Sequence, residues 1–198
     1  MWQREHRDYY WRMAKREGYR SRASFKLLQT NKSYHFIKLG DVVLDIGAAP
    51  GGWMQVAREI VGDKGYVLGV DILPIRQFNE ANVETLLGDV SDPCTVDRIK
   101  EKLPHGAAAV LCDVSPNVTG VWEVDTARQI DLARSSLEVA KKILQPDGAF
   151  FTKVFQGDLF DEFLKEMKQN FCQMHIVKPE ASKKKSSEIY ILALKLRD

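Results

Sequence analysis

Three acidic residues lie where successive apolar segments of the chain end. Asp45 precedes the glycine-rich stretch Gly47–Gly52, Asp71 stands in the sequence GVD, and Asp89 follows Gly88. A carboxylate at such a position suits both hydroxyls of a ribose, an adenine amino group or a cationic centre. One acid alone would more often be a helix cap or a loop residue. Three acids at successive strand ends favour a binding site, and a nucleoside with a sulfonium centre, S-adenosylmethionine, satisfies all three.

The stretch DIGAAPGGW, residues 45–53, excludes two other nucleotide-binding motifs. Its small residues let a ligand approach the backbone, and the helix start that follows presents free amide donors. A P-loop requires Lys-Ser/Thr after its last glycine, but Trp53 and Met54 follow Gly52. A dinucleotide motif requires GxGxxG, but residues 47–51 are GAAPG, and Asp45 faces the place of a pyrophosphate.

Two further strand ends indicate which atom would receive a methyl group. Methylation of base amino groups typically uses an Asn/Asp-Pro-Pro-aromatic box, and residues 115–117, SPN, lack its second proline and its aromatic residue. Methylation of cytosine carbon would use a cysteine nucleophile, but Cys94 follows the third strand, so we interpret it as structural. A ribose 2′-hydroxyl remains as the acceptor. Lys153, at the end of the fifth strand, is placed to take its proton.

The elements that must position these residues alternate between apolar runs and helical patterns, which is typical of a parallel sheet with crossover helices. We predict strands at Val42–Ile46, Tyr66–Val70, Val83–Leu87, Ala107–Cys112, Ala149–Val154, Gln173–Val177 and Ile189–Leu194. We predict helices near 5–16, 22–31, 52–61, 95–103, 125–144 and 159–170. The fold class is therefore α/β, a Rossmann-like methyltransferase fold with a seven-stranded, mostly parallel sheet, one antiparallel strand and helices on both faces. Its ligand should lie at the carboxyl ends of the strands.

Length and composition limit the organisation of the chain. With 198 residues and 44% hydrophobic content, we expect a single domain over residues 1–198. The three cysteines show no CxxC spacing, so we expect neither disulfides nor a metal site, and a cytoplasmic location. No apolar run approaches the roughly 20 residues of a membrane span. We also expect a monomer.

The amino-terminal arm, about residues 1–22, is the basic part of a chain whose net charge is only +2. Residues 1–26 hold eight Lys/Arg and three acids, with six interleaved aromatic residues. Bases and aromatics together suit RNA, although an amphipathic helix that packs its aromatics on the core is an equal alternative for each ring. A second basic run, Lys183–Lys185, is by itself typical of a solvated loop. We predict that the RNA-binding residues are Arg4, Arg7, Arg12, Lys15, Arg16, Arg20 and Arg22.

Five motifs together resemble the FtsJ/RrmJ (RlmE-type) family of RNA ribose 2′-O-methyltransferases over nearly the whole chain. They are YRSRASFKL at 19–27, DIGAAPGGW at 45–53, DVSPNVTG at 113–120, KVFQG at 153–157 and SSEIYILA at 186–193. The resemblance implies a catalytic tetrad of Lys26, Asp113, Lys153 and Glu188. Together with the residues above, it gives a predicted cofactor site of Asp45, Gly47, Gly51, Gly52, Trp53, Asp71, Asp89 and Asp113.

The resemblance also implies a mechanism and a substrate class. The ribose oxygen attacks the sulfonium methyl group in line while Lys153 takes the proton and Asp113 orients that lysine, with no metal. Lys26 would favour the uncharged form of Lys153, and Glu188 would position an ammonium group or the ribose. Family members modify large-subunit ribosomal RNA or the anticodon loop of tRNA, and the motifs favour a uridine of the ribosomal RNA, free or in the subunit. A non-catalytic RNA-binding protein and an NAD(P)-dependent oxidoreductase are the rival classes.

Overall fold

The computed structural model describes residues 9–183 and 186–197. The seven strands are β1 Val42–Ile46, β2 Tyr66–Asp71, β3 Val83–Leu87, β4 Ala107–Cys112, β5 Leu144–Phe155, β6 Phe171–Val177 and β7 Glu188–Leu196. The helices of the described part are α1 Tyr9–Glu17, α2 Ser24–Tyr34, α3 Gly52–Val61, α4 Pro93–Lys102, α5 Trp122–Ile143 and α6 Phe160–Asn170.

All seven strands form one sheet in the order β3-β2-β1-β4-β5-β7-β6. Strand β7 runs antiparallel to both of its neighbours, β5 and β6, and the other pairs are parallel. The predicted fold class is confirmed. The antiparallel strand is the last along the chain, but it is inserted inside the sheet, and β6 forms the edge.

The core has two layers because both faces of the sheet are covered. Consecutive residues of a strand point to opposite faces, so Val43 packs with α3 whereas Leu44 packs with α4 and α5. In the same way, Phe150 lies in the layer that contains α4 and α5, and Phe151 lies in the layer that contains α3. Burial on both faces explains why the strands appear in the sequence as continuous apolar runs rather than as alternating patterns.

Several elements are longer than predicted. Helix α5 begins at Trp122 rather than at 125, and α2 continues to Tyr34, where His35 ends it in a left-handed conformation. Strand β5 begins at Leu144 because a Pro-Asp-Gly segment, typical of a turn, is carried within the strand as a bulge. Residues 5–8 of the first predicted helix lie outside the described residues.

In the part of the chain that the structure describes, no helix is both long and apolar enough to span a bilayer.

Candidate active site

A cavity of about 380 Å³ lies at the carboxyl ends of β1, β2, β3 and β4. Its lining includes four of the residues predicted to bind the cofactor, namely Gly47, Asp71, Asp89 and Asp113. The carboxyl ends of parallel strands meet at one edge of the sheet, which brings together acids that are far apart in sequence. The position of the cavity agrees with the sequence-based expectation.

The backbone around the cavity fixes the orientation of these residues. The two carboxylate oxygens of Asp71 accept hydrogen bonds from the amides of Ala49 and Leu73, both at 2.8 Å. Gly47 has φ 71°, and a Cβ there would lie 2.4 Å from a methyl group of Val114. This turn therefore requires glycine, because the position combines a left-handed conformation with a close approach to the segment after β4.

The other predicted cofactor residues are not among those that line the cavity. The Trp53 indole is 3% exposed, donates to the carbonyl of Ala23 at 2.7 Å and stacks on Phe151. A Cβ on Gly52 would lie 2.2 Å from the hydroxyl of Ser21, so this glycine permits close packing of α2 against α3. That Gly52 and Trp53 contact the cofactor stays a prediction, in which the Trp53 indole would take no part because it is packed inside the protein.

Gly51, also predicted to contact the cofactor, lies in the turn before α3, and its contact with the cofactor stays a prediction. It adopts φ 103°, and a Cβ there would lie 2.7 Å from the guanidinium of Arg20. A left-handed conformation combined with this contact explains why glycine occupies the position. Gly51 is not among the residues that line the cavity.

Asp45 is the least solvated acid of the group. It is 1% exposed, it does not line the cavity, and neither of its carboxylate oxygens has a hydrogen-bond partner in the structure. Burial raises the pKa of Asp45 well above its usual range, and the nearby carboxylates of Asp113 and Asp71 raise it further. The uncharged carboxylic acid is therefore the favoured form of this side chain.

Beside the cavity, the four residues of the predicted tetrad form two ion pairs. The Lys26 ammonium lies 2.6 Å from a carboxylate oxygen of Glu188, and the Lys153 ammonium lies 3.2 Å from Oδ1 of Asp113. Both lysines are 4% exposed. Four separate segments supply them: α2, the end of β4, β5 and the start of β7. The structure thus brings the tetrad together from positions up to 162 residues apart.

Tyr190 connects the two ion pairs and was missed by the sequence-based analysis. Its hydroxyl accepts a hydrogen bond from Lys26 Nζ at 2.8 Å and donates to Asp113 Oδ1 at 2.8 Å. Burial raises the pKa of Tyr190 well above its usual range, and the charges of Asp113 and Glu188 add to this, so the hydroxyl keeps its proton and can donate. An aromatic residue within an apolar strand has the appearance of a core residue, which hid this role.

Lys153 makes further contacts that fix its position. Its ammonium donates to the backbone carbonyl of Asp113 at 2.7 Å and to the hydroxyl of Ser115. The side chain of Gln129, on α5, donates to the carbonyls of Val114 and Lys153, both at 3.1 Å. Helix α5 therefore ties the ends of β4 and β5 to each other, which holds the lysine and its carboxylate in register.

The described part of the amino-terminal arm packs on α2 through one side of α1. Ala14 is buried against Phe25, and the ring of Tyr10 lies 5.5 Å from the Phe25 ring. For these aromatics the packing alternative is correct. Three of the predicted RNA-binding residues are exposed on the same helix, and they are Arg12, Lys15 and Arg16. Arg4 and Arg7 lie outside the described residues, as do two of the three lysines of the run 183–185.

Arg20, also predicted to bind RNA, makes several contacts within the protein, and its binding of RNA stays a prediction. Its guanidinium donates to the backbone carbonyls of Pro50, Arg76 and Gln77 at 2.7–3.2 Å and stacks over the ring of Phe78. These contacts join the loop after β1 to the loop after β2, and both loops border the cavity. The excess of basic residues in the arm suggested that Arg20 binds RNA, because the sequence gives the number of charges but not the groups that each charge contacts. Arg22, also assigned to RNA, is half-buried.

The comparisons with known proteins agree with this geometry. The model of the FtsJ-like methyltransferase family matches residues 19–196. The chain belongs to this family. The resemblance inferred from the motifs is thereby confirmed.

Similar proteins carry the name ribosomal RNA large subunit methyltransferase E. One from Methanosarcina mazei is 51% identical over 193 residues, which make up 97% of this chain and 70% of the relative. Another, from Methanocaldococcus jannaschii, is 46% identical over 190 residues, 94% of this chain and 78% of the relative.

Solved structures show the same fold. A ribosomal RNA methyltransferase from Plasmodium falciparum gives a TM-score of 0.81 at 25% identity, over 90% of this chain and 98% of the other. The fibrillarin of Methanocaldococcus jannaschii, 17% identical, gives a TM-score of 0.56 over 82% of this chain and 69% of the other, which is a likeness of fold.

Metal binding was not expected from the sequence. Within residues 9–183 and 186–197, no group of three or more His, Cys, Asp or Glu side chains lies where it could hold a metal ion. That the reaction of this FtsJ-like methyltransferase needs no metal stays a prediction.

The raised pKa of Asp45 predicts an unusual pH dependence of stability. Above the unfolded-state pKa of about 4, the unfolded chain loses the Asp45 proton that the folded cofactor-free protein keeps, so folding stability should fall as pH rises, by up to about 1.4 kcal/mol per pH unit. Asp45→Asn cannot titrate, and its stability should lack this component. Denaturant unfolding of both proteins between pH 5 and 8 measures the difference. Equal slopes for the two proteins would show that Asp45 is ionised in the fold.

Proposed function

We propose that this protein transfers a methyl group from S-adenosylmethionine to a ribose 2′-hydroxyl of large-subunit ribosomal RNA. The observation that carries the proposal is the position of Asp113. This residue lines the cavity at the strand ends and is also the ion-pair partner of Lys153. A methyl donor in the cavity would therefore lie beside the lysine that is proposed to take the proton.

The residues of the cavity fit S-adenosylmethionine. Asp71 is held by two backbone amides in an orientation that leaves its carboxylate open to ribose hydroxyls, and Asp89 borders the same cavity. Gly47 and Val114, which pack closely against each other, form part of the wall of the same cavity. When it is bound, this cofactor supplies an electrophilic methyl group on a positively charged sulfur. The backbone amides at the start of α3, including that of Trp53, are the remaining candidates for its carboxylate.

The tetrad supplies the acid–base chemistry. A 2′-hydroxyl is too weakly acidic to ionise by itself, so Lys153 acts as the uncharged amine, after its ammonium has released a proton to solvent, and accepts the hydroxyl proton as the oxygen attacks the methyl carbon. The bond between that carbon and the sulfur breaks in the same step, and S-adenosylhomocysteine is the leaving group. Asp113 orients the lysine through their ion pair, and Lys26 contributes positive charge that stabilises the developing alkoxide. Glu188 and Tyr190 hold Lys26 in place.

The relatives' names and the basic arm support ribosomal RNA as the substrate. Relatives named ribosomal RNA large subunit methyltransferase E cover nearly the whole chain. On α1, Arg12, Lys15 and Arg16 are exposed and suit the phosphates of an RNA strand. Transfer to the anticodon loop of tRNA is the alternative. A single domain, a monomeric state and a cytoplasmic location stay predictions.

Two substitutions should separate chemistry from cofactor binding. Lys153→Ala removes the proton acceptor, so methyl transfer to ribosomal RNA should be lost while the dissociation constant for S-adenosylmethionine stays nearly unchanged. Asp71→Ala leaves ribose hydroxyls unpaired, so affinity for the cofactor should fall by about 1–3 kcal/mol, roughly 5- to 150-fold. Calorimetry gives the affinities, and transfer of a labelled methyl group gives the rates.

The controls are exposed residues of the same type on helices away from the cavity, Lys165→Ala on α6 and Asp97→Ala on α4. Both should keep wild-type activity and affinity. Substantial turnover by Lys153→Ala would remove the lysine from the proposed role, and an unchanged dissociation constant for Asp71→Ala would remove Asp71 from the site.

The arm should account for part of the salt dependence of RNA binding. Replacing Arg12, Lys15 and Arg16 with Glu should weaken RNA binding and lower the slope of log affinity against log salt by about 0.7 to 0.9 for each phosphate that the arm no longer neutralises. The cofactor affinity should not change. Filter binding over a range of salt concentrations measures the slope.

The matched control carries the same change of charge on the opposite face of the sheet. Lys100, Lys165 and Lys168 are exposed on α4 and α6, and their replacement with Glu should leave most of the slope intact. If both triple variants lower the salt slope by the same amount, the affinity for RNA depends only on the net charge of the protein, and the arm is a packing element.

A further inference from the structure

An exposed apolar surface borders the tetrad and is not used by the proposed chemistry. Trp122 is 46% exposed at the first position of α5, and three valines around it in sequence are also exposed, Val118 at 72%, Val121 at 51% and Val124 at 39%. Contiguous apolar surface of this kind marks an interaction site in soluble proteins.

The Trp122 ring is supported from below by a second aromatic ring. It stacks on Phe155 with ring centroids 6.5 Å apart and an interplanar angle of 17°. This offset stack is a favourable arrangement for two aromatic rings. The part of the indole that does not cover Phe155 remains accessible to a further flat ring.

Phe155 places this stack beside the tetrad. It lies two residues after Lys153 on β5, so the two side chains are on the same face of the sheet, roughly 7 Å apart along the strand. Across the sheet, the register partner of Phe155 is Glu188, and that of Lys153 is Tyr190. A ligand on the Trp122 ring would therefore be adjacent to a ribose positioned at the tetrad.

The chain holds Trp122 in a fixed position. The carboxylate of Asp125 accepts hydrogen bonds from the amide and hydroxyl of Thr119 and from the amide of Gly120, at 2.7–3.1 Å, which shapes the loop before α5. The hydrogen bond from the Thr119 amide also lowers the pKa of Asp125, so its carboxylate stays ionised. At Gly157, just beyond β5, a Cβ would lie 2.7 Å from Thr126, which shows how closely the start of α5 approaches this strand end.

We propose that Trp122, backed by Phe155, is a stacking platform for an unpaired nucleobase of the RNA strand whose ribose is methylated. Proteins that act on single-stranded or unstacked RNA commonly place bases on aromatic side chains, because every base presents a π face. A nucleotide that brings its 2′-hydroxyl to Lys153 also brings a base, which needs a surface to cover it. The inference rests on the proposed function, since it assigns the surface to the same RNA strand.

Substitution of Trp122 tests the platform through kinetics. Trp122→Ala should raise the KM for ribosomal RNA by about 5- to 100-fold, the effect typical of one stacked base, while the dissociation constant for S-adenosylmethionine stays unchanged. Trp122→Phe keeps a stacking ring and should retain most of the affinity for RNA. Trp122→Leu keeps apolar volume without a π face and should resemble Trp122→Ala. A merely structural role would not distinguish phenylalanine from leucine in this way.

The matched control is Leu39→Ala, which removes an exposed apolar side chain, 74% exposed against 46% for Trp122, at the opposite end of the strands. It should leave the KM for RNA at the wild-type value. If Trp122→Ala also leaves that KM unchanged in an active enzyme, the platform is overturned, and the surface is left for a protein partner.

A binding measurement without turnover separates this inference from the proposed function. A single-stranded RNA oligonucleotide should quench the tryptophan fluorescence of a protein in which the two tryptophans of the arm, Trp2 and Trp11, are replaced by phenylalanine, and the further change Trp122→Phe should remove most of that quenching. Quenching without methyl transfer to any RNA would contradict the proposed function and leave the platform intact. Equal quenching in both proteins would overturn the platform, even if Trp122→Ala does not fold.

Discussion

The burial of two lysines among carboxylates is the constraint on which the rest of the structure depends. Removing an ammonium group or a carboxylate from water costs several kcal/mol per ion, and mutual pairing with good geometry is needed to offset this cost. Lys26 and Lys153 are each 4% exposed and have acidic partners, and the Tyr190 hydroxyl joins the two pairs. The insertion of β7 beside β5 supplies this arrangement, because it sets Tyr190 directly opposite Lys153. Without that strand, Lys26 would be a buried charge with no counterion.

In the proposed function, the same sheet edge binds the cofactor and the RNA on two sides of one carboxylate, that of Asp113. Asp113 faces the cavity that ends β1 to β4, and it also holds Lys153 on β5. A methyl donor and an acceptor ribose are thereby directed to adjacent places, which is the main contribution of positioning to catalysis. Helix α5 stabilises both sides, since Gln129 bonds to the strand ends that carry Asp113 and Lys153, and the start of the helix presents Trp122.

The apolar runs and helical patterns predicted the fold because they are local properties of the sequence, and the resemblance to the FtsJ family implied the four residues of the tetrad. They did not predict which face of a strand or helix a side chain occupies relative to its neighbours. The sequence therefore did not show that the Trp53 indole packs on Phe151, and Tyr190 appeared to be part of the core although its hydroxyl joins the ion pairs. Arg20 was assigned to RNA because of its charge. Its backbone partners belong to a loop more than 50 residues away, so the sequence did not show them. Contacts between distant segments require the folded structure.

The central claim is that the buried cluster delivers a methyl group to a ribose oxygen of large-subunit ribosomal RNA. The most direct test is incubation of the purified protein and isotopically labelled S-adenosylmethionine with unmodified large ribosomal subunits, their deproteinised RNA and tRNA, followed by nuclease digestion and mass spectrometry of the nucleosides. The account predicts label in a single 2′-O-methylated nucleoside of the large-subunit RNA, and none when Lys153 is replaced by alanine. Label on a base, or label in tRNA alone, would contradict it.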